Sequence, residues 1–240
     1  MTSTAIPLPG VEDVRDLDAT GVLDAVVARR RTADRAEADL VALVVHWVDV
    51  HPVLDDTTTA SWRSDTPCLG VDAHGQVAEP PVAGAGTPPV AEGAVEELAA
   101  ALNLPYAAGL RLVSESLELC YRLPRLWARV QTGRLPAWQA RQVAARTTTL
   151  SRAAVDFVDR HTATTTNGRG RVRLAGLNAL IHEARLQCDP DQAAGIEQAA
   201  LDARGVWFDH RASTATTDLT ARLDTLDALD LDDTISDSPP

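Results

Sequence analysis

The chain has 240 residues, of which 45% are apolar and 23% are charged, and its net charge is -12. This composition is typical of soluble globular proteins and excludes the disordered, collagen-like and membrane-spanning classes. A chain of this length buries about 70% or more of the surface that it exposes when unfolded, so its core does not need disulfides or metals.

The cysteines and the N-terminal residues point to a cytoplasmic protein. Cys68, Cys120 and Cys188 are far apart and form no C-x-x-C pair, which excludes a disulfide framework or a zinc ribbon. Residues 1–20 contain four acidic residues and no apolar stretch of signal-peptide length. The longest apolar run, 40–47, is interrupted by His46 and is too short to span a bilayer. We therefore expect a cytoplasmic location without membrane contact.

Residues 1–15 are predicted to be a disordered N-terminus, and residues 16–50 to form one long helix that Asp18 or Thr20 caps. Apolar residues recur there at intervals of three and four, and Arg29 is the only polar residue among them. This seam consists of Ala19, Val22, Val26, Ala33, Ala36, Leu40, Leu43, Trp47 and Val50. Such a 19–50 seam fits packing along later helices of the same chain, or a homodimer with the same helix of a second chain.

The rest of the chain begins with residues 51–92, which hold six prolines and four glycines and are predicted to form a long, mobile connection. Residues 93–224 are predicted to form a helical domain that ends in a β-hairpin, and residues 225–240 to form an acidic tail that begins with a brief helix. The helices are expected at about 93–102, 105–122, 124–132, 136–147, 151–162, 172–187 and 190–203, and the strands near 206–210 and 217–223. The predicted fold class is mainly α, a multi-helix domain with one long N-terminal helix and a short C-terminal β-hairpin.

The middle of this acidic chain is basic. Residues 111–173 contain 12 arginines and four acidic residues, a net charge of +8. The candidate nucleic-acid-binding residues are Arg122, Arg125, Arg129, Arg134, Arg141, Arg146, Arg169, Arg171 and Arg173. Together they would contact DNA phosphates without reading bases. The same arginines also fit the solvated outer faces of amphipathic helices.

No motif of a known catalytic site occurs in the sequence. All 22 basic residues are arginine, so the chain has no P-loop lysine and no Schiff-base lysine. It has no G-x-G-x-x-G, H-E-x-x-H or G-x-S-x-G motif, and His46 and His51 have a poor spacing for a metal site on a helix. The sequence therefore predicts no catalytic residue, no metal ligand and no cofactor.

Three segments carry a resemblance to a known family: G-T-P-P-V-A-E-G-A-V-E-E-L-A-A-A-L-N-L from Gly86, Y-R-L-P-R-L-W-A-R-V-Q-T-G-R-L-P-A-W-Q-A-R-Q-V-A-A-R-T from Tyr121, and C-D-P-D-Q-A-A-G-I-E-Q-A-A-L-D-A-R-G-V-W-F from Cys188. They resemble the domain of unknown function 222, also called the thirteen-E-twelve repeat family, over about residues 17–230. In the second segment Gly133 suits the end of one helix and Pro136 the start of the next. Trp127 and Trp138 are expected to lock the corner between these helices.

The resemblance implies that such domains precede an HNH nuclease module, in which metal-bound histidines and a general-base histidine cleave a phosphodiester. Asp209 and His210 superficially resemble the start of that module, but no His or Asn follows His210 in the sequence. We therefore interpret His210 as a structural residue. We therefore expect a non-enzymatic, DNA-associated domain of an HNH endonuclease-like system that lacks the nuclease. The alternatives are an oligomerisation protein or one that docks a separately encoded nuclease, and the product of a truncated nuclease gene with no retained activity.

Overall fold

The computed structural model describes residues 17–53, 59–62, 82–165, 174–209 and 217–236. Their helices are α1 (Ala19–Asp49), α2 (Glu92–Ala101), α3 (Tyr106–Leu117), α4 (Pro124–Gln131), α5 (Ala137–Thr147), α6 (Arg152–Thr165), α7 (Leu174–Cys188), α8 (Pro190–Asp202) and α9 (Thr225–Ser236). Strands β1 (Gly205–Asp209) and β2 (Asp218–Arg222) form an antiparallel hairpin. The predicted fold class is confirmed. None of the helices in these ranges has the length and apolar character needed to cross a bilayer.

Helix α1 begins and ends where local chemistry predicts. Asp18 has an extended backbone, and its side chain accepts a hydrogen bond of 2.7 Å from the N–H of Gly21. This bond satisfies one of the first N–H groups of the helix, which have no partner within it. The helix ends at Asp49, three residues before Pro52.

The buried face of α1 differs from the predicted seam. Ala38, Val41, Val44, Val45 and Val48 are buried against the rest of the same chain, whereas the seam residues Leu43 and Val50 are 64% and 53% exposed. A seam with a period of about 3.5 residues drifts by about 20° per heptad around a straight helix of about 3.6 residues per turn. In the second half of the helix the predicted seam therefore lies at the edge of the buried face. Leu40 packs against the core and Trp47 donates to the carbonyl of Ala94, so the seam was wrong there only for Leu43 and Val50.

The core of the first part of the chain lies between α1, α2 and α3. Helices α2 and α3 approach closely at Gly109, where an added Cβ would lie 2.7 Å from the Cβ of Ala99. The described parts of the 51–92 connection belong to this core, because Ala60, Val82 and Val90 are buried in it and the N–H of Ala60 donates to the carbonyl of Val90. Residues 54–58 and 63–81 of the connection lie outside the described residues.

A π-helical turn, Glu118–Arg122, joins α3 to α4. The sequence predicts one α-helix over 105–122, but the α-helix ends at Leu117. The wider turn accompanies burial of both Glu118 and Arg122. Such turns are rare and often occur at functional or strained positions.

The chain divides into two compact units, Met1–Ile181 and His182–Pro240. The second unit holds α8, the hairpin and α9. In the hairpin, Trp207 is paired with Thr220 and Phe208 with Leu219. Arg204, which precedes β1, donates to Asp224 at the start of α9 over 3.0 Å.

Candidate functional site

Six of the nine candidate arginines lie in the described residues, on the π-helical turn, α4, α5 and the α4–α5 connection. Arg169, Arg171 and Arg173 lie outside the described residues. A surface that binds phosphates needs guanidinium groups that solvent can reach and that no carboxylate already neutralises. The environment of each described arginine therefore decides whether it can contribute.

Arg122 lies in the core. Its side chain is fully buried, and Nη1 donates to both carboxylate oxygens of Glu118 over 3.0 Å. Nη2 donates to the carbonyl of Leu150 over 2.5 Å, and Nη1 also reaches the carbonyls of Thr147 and Thr148. Gly84 covers the pair, since its N–H donates to Glu118 and an added Cβ would overlap Nη1. Arg122 therefore holds the π-helical turn against α5 and the start of α6, and a phosphate cannot reach it.

Arg125 lies in the first turn of α4 beside two carboxylates of α6. Its guanidinium is 3.3 Å from Asp156 and 3.6 Å from Asp159. The buried Asp159 also accepts the backbone N–H groups of Arg125 and Leu126, each over 3.0 Å, so it caps α4 from a helix far along the chain. Burial raises the pKa of Asp159 above its ordinary value, although these hydrogen bonds and Arg125 lower it. Arg125 is half exposed, and its positive charge is balanced by the carboxylates of Asp156 and Asp159.

Arg141 on α5 is paired with two glutamates. Its Nε donates to Glu115 of α3 over 2.7 Å, and Nη1 is 3.6 Å from Glu37 of α1. The pKa of Glu115 is above its ordinary value, because the effect of burial, which raises it, is larger than that of Arg141, which lowers it. Arg141 therefore ties three helices together, and its charge is compensated.

The other three described candidates are Arg129 on α4, Arg134 in the connection to α5, and Arg146 in the last turn of α5. Gly133 ends α4 with a φ of +69°, a left-handed conformation that favours glycine, and this confirms its predicted place at the helix end. The carbonyl of Arg129 accepts the N–H of Arg134 over 2.9 Å. Arg134 is exposed, whereas Arg129 and Arg146 are half-buried, and Arg146 donates to the carbonyl of Gln142 on its own helix.

This arrangement reduces the basic surface that the sequence suggested. All four acidic residues of the basic segment are within 4 Å of an arginine: Glu115, Glu118, Asp156 and Asp159. Helix α5 follows a short turn, as in a helix-turn-helix, but Ala145 is the only exposed residue among its eleven. A recognition helix must present an open face to the major groove, so α5 is a core helix. Of the six described candidates, only Arg125 and Arg134 are exposed, and Arg125 is paired with Asp156, so Arg134 is the candidate best placed to meet a phosphate.

The tryptophans and histidines have structural contacts. Arg30 of α1 lies over the ring of Trp138, 5.9 Å from its centre, so Trp138 helps to hold the α4–α5 corner against α1. The ring of His51 lies against that of Trp47, with the ring centres 3.9 Å apart and the planes tilted by 38°, and its Nδ1 donates to the Trp47 carbonyl. Within the described ranges, no three His, Cys, Asp or Glu side chains are grouped as a metal site would need. His210 lies outside these ranges.

The apolar surface of the second unit was missed by the sequence reasoning. Neither α8 nor α9 buries a residue, and Trp207 and Phe208 of β1 are 52% and 57% exposed. An open cleft of about 460 Å³ lies between β2 and α9, lined mainly by Leu223, Ala228, Leu231 and Ile235. The signal for this surface was present in the segment that the sequence analysis predicted as a brief helix and an acidic tail, because that segment contains Leu226, Leu229, Leu231 and Ile235.

Comparison with known proteins then identifies the family. The model of the family described as "Domain of unknown function (DUF222)" matches residues 70–237, more than two thirds of the chain. The chain belongs to this family. The DUF222 match includes α2–α9, the paired arginines and the apolar surface of the second unit. Searches of curated proteins and of solved structures give no match.

Proposed function

We propose that this DUF222 chain is a non-catalytic module of an HNH endonuclease-like system, and that its second unit docks a nuclease polypeptide. The exposed apolar surface of that unit carries the proposal. Leu226 and Ile235 of α9 are 74% and 64% exposed, and beside them lies the cleft between β2 and α9. The link to HNH nucleases comes from the resemblance of the motifs around Arg122–Arg141 and Cys188–Phe208.

The physical argument concerns the hairpin. A two-stranded hairpin is marginally stable in water unless a further strand or a packed helix covers one face. Large exposed apolar patches mark surfaces that bind other proteins. Trp207 and Phe208 are adjacent in β1 and therefore lie on opposite faces of the hairpin, yet both are exposed. A docked polypeptide would cover one of these faces and stabilise the unit.

The docking test measures binding of the full chain to a purified HNH nuclease polypeptide from the same organism by calorimetry. We expect binding that Trp207→Ser weakens at least about tenfold, because aromatic anchors dominate such interfaces. The matched control is Leu43→Ser on α1, which also changes a side chain that is more than half exposed and should leave binding unchanged. An HNH polypeptide that fails to bind at about 100 μM would refute the docking proposal.

The non-catalytic part has its own test. The purified chain should not nick plasmid DNA in the presence of magnesium or zinc. Nicking that is abolished when one of the chain's own residues is changed would contradict this part of the proposal.

A second candidate role is contact with DNA phosphates, and the exposed position of Arg134 at the α4–α5 corner favours it. Duplex binding should weaken with rising salt, and Arg134→Ala should reduce the slope of the logarithm of affinity against the logarithm of salt concentration by about 0.9. Arg204→Ala is the matched control, because Arg204 is 49% exposed but lies outside the basic segment. Absence of binding at low salt would eliminate this role.

A further inference from the structure

Helix α1 extends beyond the part of the first unit that it packs against. No residue from 19 to 37 is buried, whereas five residues between Ala38 and Val48 are buried. The contact of Arg30 with Trp138 marks the place where the rest of the unit begins to cover the helix. Helix residues rise by about 1.5 Å each, so the segment before Arg30 projects by about 16 Å.

The projecting segment carries an apolar stripe with no cover among the described residues. Val22, Leu23, Val26 and Val27 are 37%, 64%, 58% and 40% exposed. The stripe lies on the same helix face as the residues that are buried in the second half of α1, because steps of three and four residues lead from one to the other. The residues along this path are Arg30, Asp34, Ala38, Val41 and Val45. A stripe of this kind on one helix face is suited to another helix.

Charge indicates which helix would fit. Residues 17–28 contain two acidic residues and no arginine, whereas residues 29–35 contain four arginines and one aspartate. Two parallel copies would place like charges together, but two antiparallel copies would place each acidic end beside a basic end. Asp18 and Arg29 are eleven residues apart, about three turns, and therefore share one flank of the stripe. An antiparallel pair centred near Leu23 brings Asp18 of each copy beside Arg29 of the other.

Ala19 lies one turn before Leu23 and extends the stripe. We propose that this stripe of α1 pairs antiparallel with the same stripe of a second copy of this chain. Leu23 lies at the centre of the pair, and Ala19 of each copy faces Val27 of the other. The stripe is short, so the interface is smaller than the approximately 1,600 Å² of a standard stable complex, and the dimer is weak and dependent on concentration. The pairing does not use the second unit, so it can fail or succeed independently of the nuclease docking proposed above.

The first test is sedimentation equilibrium of the full chain at concentrations up to about 1 mM. We expect a monomer–dimer equilibrium that Leu23→Arg shifts to monomer, with at least a tenfold weaker association. Leu43→Arg is the matched control, because Leu43 is exposed by the same 64% on the same helix but lies off the stripe. Unchanged circular dichroism of both variants would show that the helix remains folded.

Each contrary outcome overturns the proposal. A wild-type chain that is monomeric at every concentration excludes the dimer, and a dimer that Leu23→Arg leaves intact uses another surface. A dimer that both arginine variants disrupt equally follows the longer 19–50 seam and not this stripe.

The second test addresses the antiparallel orientation. Asp18→Arg alone and Arg29→Asp alone should each weaken the dimer, because residues 18 and 29 of opposite copies then carry like charges. A mixture of the two variants should associate about tenfold more tightly than either alone, because both 18–29 contacts then join opposite charges. Asp18→Ala controls for loss of the helix cap, since it removes the acceptor for Gly21 without adding a positive charge. A mixture that associates no better than the separate variants refutes the antiparallel arrangement.

Discussion

Replacing Arg122 by leucine tests the core ion pair most directly. The substitution leaves the fully buried carboxylate of Glu118 without its cation. It also removes the hydrogen bond of 2.5 Å that the Leu150 carbonyl accepts from Arg122. Loss of one partner of a buried ion pair costs about 3–5 kcal/mol, and an unsatisfied buried carbonyl adds about 1 kcal/mol. We therefore expect Arg122→Leu to lower the free energy of unfolding by about 4–6 kcal/mol, comparable with the whole stability of many domains.

The assay is urea unfolding followed by circular dichroism. With an m-value of about 2 kcal/mol/M, the midpoint should fall by about 2–3 M, or the variant should be unfolded without urea. Glu118→Leu combined with Arg122→Leu should be about 2–3 kcal/mol more stable than Arg122→Leu alone, because no charge remains buried. Asp39→Ala, which breaks an exposed pair with Arg35, is the control and should cost less than about 1 kcal/mol. A loss below about 1 kcal/mol for Arg122→Leu would refute the reasoning.

Three further predictions concern stability and are measured by thermal unfolding. Burial raises the pKa of Asp159 in the folded chain, so its contribution to stability is complete at a pH below the ordinary aspartate pKa and is lost as the pH rises through the raised pKa. Asp159→Asn should flatten this decline of the melting temperature with pH. An unchanged dependence of the melting temperature on pH would contradict the assignment. Gly133→Ala should cost about 1 kcal/mol because of its positive φ, whereas Gly93→Ala, with open space around it, should be neutral or stabilising; equal effects would contradict this account. Gly109→Ala should cost about 1–3 kcal/mol by forcing Ala99 away, and a stabilised variant would show that α2 and α3 separate easily.

The positions of the helices were accessible from sequence because their signals are local. Asp18, Gly133 and Pro136 lie at helix boundaries as their residue types predict. The buried face of α1 was not accessible in the same way, because Leu43 and Val44 are both apolar and only one of them meets the core. A heptad pattern and a helical pattern differ by a small angle per turn, and this difference becomes decisive over a helix as long as α1.

The candidate arginines illustrate the same limit. Counting charges along the chain identified a basic segment, but a count does not distinguish Arg122, which is buried on Glu118, from the exposed Arg134. The partners of Arg125 and Arg141 lie on other helices, so only the folded chain brings the charges together. The apolar residues of α9 were likewise hidden by the acidic residues between them.

Composition, helical periodicity and capping residues by themselves determined that this chain is a mainly helical protein with a long first helix and a terminal hairpin, because these properties depend on neighbouring residues. Tertiary structure decided which arginines neutralise carboxylates, which face of α1 is covered and which apolar side chains have no cover. Those outcomes depend on the packing of helices that are distant in the chain. Burial and ion pairing are properties of that packing, and the order of residues does not reveal them.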